Sequence, residues 1–121
     1  GLTYVFISHD LSVIEHLSDR IGVMYLGKMA EIGTTDDIIK RPAHPYTQAL
    51  LASVPRVGVT RPDSDTPLEG TVPSPINPPS GCRFHTRCPI AEDICKVTEP
   101  DLEPLGTSQF AACHLVNKVN V

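Results

Sequence analysis

At 121 residues the chain has room for one modest core, or for part of a core with a small appended module. A formal charge of −4 without a basic stripe argues against nucleic acid as the main partner. No stretch approaches the roughly 20 apolar residues of a membrane-spanning helix and no secretory signal is visible, so the expectation is a soluble or membrane-peripheral chain.

Residues 2–7, Leu-Thr-Tyr-Val-Phe-Ile, are almost continuously apolar or β-favouring, which predicts a central strand of a parallel sheet, buried on both faces. Asp10 is placed to cap a following helix and Ser12 with Glu15 offers a second cap. Leu11, Ile14 and Leu17 then form one apolar stripe. Residues 21–26 predict a second strand, Gly27-Lys28 a tight turn, and 29–32 a third strand ending at Gly33. Thr34, with Asp37 three residues on, marks another helix start, which Pro42 ends. Pro45 suits the first turn of a short helix over 46–53.

A strand buried on both faces needs neighbours on both edges, and only 21–26 is at hand. The chain also begins at Gly1 rather than Met. Residues 1–54 therefore read as the C-terminal part of a larger α/β domain. Residues 55–80 carry seven prolines, from Pro55 to Pro79, and predict an extended linker. Residues 81–121 form a Cys-rich module, with a short helix expected over 89–96 and a strand or extended return over 110–115.

All four cysteines, Cys82, Cys88, Cys95 and Cys113, fall in that last segment, with spacing C-x5-C-x6-C-x17-C. Clustered thiols without a sign of export are by default reduced metal ligands rather than disulfides. The C-x2-C knuckle of zinc ribbons is missing, as is the ferredoxin spacing C-x2-C-x2-C. A looser three-plus-one set suits an iron–sulfur cube, which needs one thiolate per iron, and Arg83 and Arg87 would offset its negative charge. Spacing alone leaves iron–sulfur, zinc and a pair of structural disulfides open. His85 and His114 lie beside cysteines and read as neighbours of the site, with ligation in a zinc site as the alternative.

His9 stands at a strand end, just before a helix cap, where α/β proteins place ligand contacts. Its Nε2 would reach a γ-phosphate oxygen or orient an attacking water. The plain alternative is a strand-end histidine bonded to backbone. His16 reads as solvent-facing, and His44, in His44-Pro45-Tyr46, as a helix-entry residue with no chemistry implied.

Ile7-Ser8-His9-Asp10-Leu11-Ser12, Asp19-Arg20-Ile21 and Val23-Met24-Tyr25-Leu26-Gly27-Lys28 resemble the segment after the Walker B strand of ABC transporter ATPases, which are P-loop NTPases. Glu31-Ile32-Gly33-Thr34, His44-Pro45-Tyr46-Thr47-Gln48-Ala49-Leu50-Leu51, Pro73-Ser74-Pro75-Ile76-Asn77-Pro78-Pro79, Gly81-Cys82-Arg83-Phe84-His85 and Arg87-Cys88-Pro89 narrow the resemblance to the oligopeptide/dipeptide/nickel importer subfamily. The resemblance implies that His9 is the switch (H-loop) histidine at the γ-phosphate. It implies ATP with Mg2+, a homo- or heterodimer of ATPase subunits, membrane-spanning permease partners, and a peripheral position on the cytoplasmic face of the membrane. The four cysteines match those that bind a [4Fe-4S] cluster in some members. The chain departs from the pattern in having no G-x-x-x-x-G-K-[ST] loop, signature motif or Walker B acid, so alone it should neither bind ATP tightly nor hydrolyse it. The competing class is a non-enzymatic metal-binding interaction module in which the cysteines are the function.

Overall fold

A two-residue turn organises the N-terminal half. Leu26 and Gly27 both take positive φ, 49° and 78°, the type I′ geometry whose twist matches that of the strands it joins. It links β1 (Arg20–Tyr25) to β2 (Lys28–Thr34), one residue earlier than the expected Gly27-Lys28 turn. The computed structural model in which this hairpin is seen describes residues 2–8, 11–53, 74 and 76–115. Burial alternates cleanly along β1, with Ile21, Val23 and Tyr25 facing inward, the period of a half-buried strand. A bulge follows Val23, which pairs with Glu31 while Met24 pairs with Met29. Ala30 thus has no partner in β1, and its carbonyl accepts the Ala112 N–H at 2.8 Å.

The sheet continues into the last third of the chain. β3 (Glu103–Leu105) and β4 (Gln109–Ala111) form a second hairpin, and β4 pairs antiparallel with β2, giving the order β1-β2-β4-β3. The expected strand over 110–115 is therefore shorter and earlier, and β3 was not anticipated. Among the described residues four helices accompany the sheet: α1 (Leu11–Leu17), α2 (Thr35–Lys40), α3 (Pro45–Ser53) and α4 (Asp93–Val97). α2 begins with the expected capping box. The Thr34 hydroxyl accepts the Asp37 N–H at 3.1 Å, and the Asp37 carboxylate accepts the Thr34 N–H at 3.3 Å. Pro45 takes the first position of α3, where its missing N–H costs nothing. α4 covers only the second half of the expected 89–96 helix.

The core forms where β1 meets α2. Ile21, Val23 and fully buried Ile38 pack together, with Ile14, Ile39, Tyr46 and Leu50 against them. Burying aliphatic side chains of this size is worth about 1.5–3 kcal/mol each.

Residues 2–7 correct the expectation of a central parallel strand. Residues 2–8 form no strand, and Leu2, Tyr4, Val5, Phe6 and Ile7 are all exposed, Ile7 at 97%. The β-favouring sequence is there, but β1 pairs only with β2 among the described residues, and a strand without a ladder leaves its backbone groups to water. His9 and Asp10, and the Pro-rich stretch apart from Ser74 and residues 76–80, lie outside the described residues. No described helix is long and apolar enough to cross a membrane.

Candidate functional site

The hairpin and the C-terminal segment meet at a buried carboxylate. Glu31, midway along β2, is fully buried and accepts the backbone N–H groups of Ala43 (2.8 Å) and His44 (3.0 Å), just ahead of α3. Gln109 of β4 donates its Nε2 to the same carboxylate at 2.7 Å and to the Arg41 carbonyl at 2.8 Å. An acid beside a helix start satisfies donors that the helix cannot, and it complements the positive end of the helix dipole. Glu31 thereby joins β2, the start of α3 and β4.

His44 completes the helix entry. Its Nδ1 accepts the Tyr46 N–H at 3.0 Å, so the ring itself caps α3 and must be neutral on that nitrogen. Burial lowers its pKa to about 4, against a smaller opposing pull from the Ala112 backbone. Phe84, 2% exposed, lies 5.9 Å from the His44 ring and 5.3 Å from both Tyr25 and Tyr46, so one aromatic cluster anchors the cysteine segment to β1 and α3. A second tie runs through Asp37, which accepts Ser108 Oγ at 2.7 Å and Arg41 Nη2 at 2.6 Å. The Ser108 hydroxyl first, then Arg41 and Thr34, hold its carboxyl well below the usual range.

Beneath Phe84, all four sequence-predicted cysteines line one small cavity of about 10 Å³, together with His85 and His114. All four are free thiols. The Cys82 N–H donates to the Cys95 carbonyl at 2.7 Å, bringing two of them together across α4. Backbone N–H groups converge on the sulfurs: those of Phe84 and His85 on Cys82, those of Ile90 and Ala91 on Cys88, and that of Leu115 on Cys113 at 3.4 Å. Such N–H groups favour a charged sulfur, the arrangement that metal knuckles use. Burial outweighs them and raises the pKa of Cys82, Cys88 and Cys113, the last to about 11, with the neighbouring cysteines adding to the shift. The neutral thiols would have to release protons to take a metal. Among the described residues no three His, Cys, Asp or Glu side chains stand around one point at which an ion would be held. A cavity of this size admits about one water, so a cluster would require the cysteine loops to move apart.

Of the five residues singled out in the sequence, the structure gathers the four cysteines, and His9 lies outside the described residues. Sequence reasoning gave no role to Glu31. Its signal was one acid between the apolar residues Met29, Ala30 and Ile32 of a strand.

Comparison with known proteins adds to this geometry. Residues 30–95 match the family model described as "Oligopeptide/dipeptide transporter, C-terminal region". The chain is 56% identical over 120 residues to the oligopeptide transport ATP-binding protein AppF of Bacillus subtilis, covering 95% of this chain and 36% of that protein. It is 49% identical over 115 residues to the "Probable peptide ABC transporter ATP-binding protein y4tS" of Sinorhizobium fredii, covering 95% of this chain and 33% of that protein. The chain thus spans about a third of the length of these curated relatives.

Proposed function

Because this chain belongs to the oligopeptide/dipeptide transporter C-terminal-region family, we propose that it is the C-terminal part of an ATP-binding subunit that couples ATP hydrolysis to uptake of oligopeptides or dipeptides. It is the C-terminal part of an ABC ATPase-type α/β domain with an antiparallel sheet. The observation that carries the functional reading is similarity across 95% of the chain to an oligopeptide transport ATP-binding protein. In this reading residues 1–54 close the ATPase domain, 55–80 link, and 81–121 form a Cys-rich module. ATP and Mg2+ would be held mostly by other parts of the whole protein, since this chain has no phosphate-binding loop. The subunit would dimerise with a like or related ATPase and sit on membrane-spanning permease subunits at the cytoplasmic face.

His9 would be the residue of this chain that senses the γ-phosphate. In the full-length subunit, His9→Ala should lower ATP turnover by about 10²-fold or more while nucleotide affinity stays nearly constant. Unchanged turnover would return His9 to a structural strand-end role.

A second part of the proposal concerns Cys82, Cys88, Cys95 and Cys113 as ligands of a soft metal site, a [4Fe-4S] cluster or, alternatively, zinc. What supports it is the donor set: four free thiols on one cavity, three of their sulfurs met by backbone N–H groups. A bound cluster would supply charge and cross-linking to a segment with little core of its own. Anaerobically purified full-length protein should then hold about four irons and four sulfides per chain. Stoichiometric zinc would select the alternative, and metal-free protein with four titratable thiols would remove both.

A further inference from the structure

A larger cavity, of about 280 Å³, also borders Phe84 and opens between the β1–β2 hairpin and residues 99–102. Tyr25, Met29, Phe84, Pro100 and Leu102 give it apolar walls. Four charged side chains also line it, the cations Lys28 and Arg83 and the anions Glu99 and Asp101. The proposed ATPase chemistry does not use this space, and of the four thiols only Cys82 borders it.

The lining restricts what would fit. The volume lies at the small end of ligand pockets, which suits an amino acid or a very small peptide. Two positive and two negative side chains cancel, so the site offers no net attraction to a phosphate and no uncompensated carboxylate pair for a divalent cation. A purely apolar guest would take water from these charged groups and offer them no hydrogen bond in return. A zwitterion with an apolar side chain answers all of these features.

The charged groups are also available for exchange. Lys28 and Glu99 pair at 3.5 Å, yet their side chains remain 56% and 51% exposed, so the pair is weak and gives way readily to ligand charges. Arg83 donates one Nη1 hydrogen to the Leu26 carbonyl, which fixes its stem at the hairpin turn and leaves the rest of its five-donor fork.

From this we infer that the cavity between the β1–β2 hairpin and residues 99–102 binds a small zwitterion, a free amino acid or dipeptide with an apolar side chain. Its α-carboxylate meets Lys28 and Arg83, its α-ammonium meets Glu99 and Asp101, and its side chain lies against the aromatic wall. Occupation would clamp the cysteine segment to the hairpin. The ligand class follows from the lining alone, so this inference does not depend on the importer reading.

The test is isothermal titration calorimetry on the full-length protein without nucleotide, using leucine and alanyl-leucine as probes. Saturable binding of either supports the site, and the tighter of the two identifies the source. N-acetyl-alanyl-leucine amide, which has neither end charge, should bind at least about tenfold more weakly, because each lost charge-assisted hydrogen bond is worth that much. The double variant Glu99→Gln with Asp101→Asn alters exposed side chains, so it should weaken zwitterion binding by a similar factor while leaving thermal melting unchanged. No heat with either probe at millimolar concentration would overturn the inference. So would equal binding of the blocked peptide, or undiminished binding by the double variant. None of these outcomes bears on ATP turnover.

Discussion

Acidification should destabilise this chain through His44 before Asp37 responds. The folded state holds the ring neutral, with a pKa of about 4 against 6.5 for an unperturbed histidine, so between these values the unfolded chain binds the extra proton. Stability is therefore complete above pH 6.5, falls as pH drops, and finishes falling near pH 4. The whole shift corresponds to about 3 kcal/mol, of which about 2 kcal/mol is lost by pH 5. With a urea slope of about 1–3 kcal/mol/M, the unfolding midpoint should drop by roughly 1 M between pH 7.5 and pH 5. Asp37 works in the same direction but lower down: its depressed carboxyl contributes stability above its ordinary value of 3.8, lost only as pH falls beneath that. His44→Asn separates the causes, since asparagine caps a helix without titrating. Its midpoint should stay flat from pH 7.5 to 5. A wild-type midpoint that does not move, or a variant that keeps the full wild-type slope, would refute this reasoning.

Two further substitutions test the joint between hairpin and cysteine segment. Gly81 has φ of +70°, and a Cβ there would lie 2.4 Å from the Cys95 carbonyl oxygen and 2.7 Å from the Lys96 carbonyl carbon. Gly81→Ala must push these backbones apart and break the Cys82 N–H to Cys95 bond. It should cost about 2 kcal/mol or more and speed thiol labelling of buried Cys95, and labelling at the wild-type rate would contradict the geometry. Phe84→Ala empties the middle of the aromatic cluster and should cost about 3–5 kcal/mol in chemical unfolding. A loss under about 1 kcal/mol would mean that the segment is held mainly by the β2–β4 ladder.

What the sequence disclosed was local. The hairpin turn, the Thr34–Asp37 box and Pro45 at the start of α3 depend on residues within four positions of one another, and each formed where expected or within a residue of it. β3 carries Pro104 and spans three residues, so no alternation announces it; it exists because β4 lies between it and β2. Residues 2–7 show the reverse case. Their β propensity is strong, but propensity states how well side chains suit a pleated surface and does not supply the neighbouring strand.

The candidate sites divide in the same way. The cysteine clustering grouped the four thiols, but the spacing lacked a knuckle and left iron–sulfur, zinc and disulfides open, and the family resemblance favoured the first. Their gathering depends on Phe84 docking between Tyr25 and Tyr46, contacts made across roughly 40 and 60 positions. His44 was legible as a helix entry, yet its ring is neutral because β2, α3 and Phe84 enclose it, and enclosure has no signature in a tripeptide. Glu31 makes the point most sharply. A lone acid in a strand ordinarily faces water, and this one is buried because the N–H groups of Ala43 and His44 and the Gln109 amide, 12 to 78 positions further along the chain, all donate to it. The same carboxylate that starts α3 also holds β4, so a strain introduced at the cysteine segment has a direct polar route to the helix entry at His44.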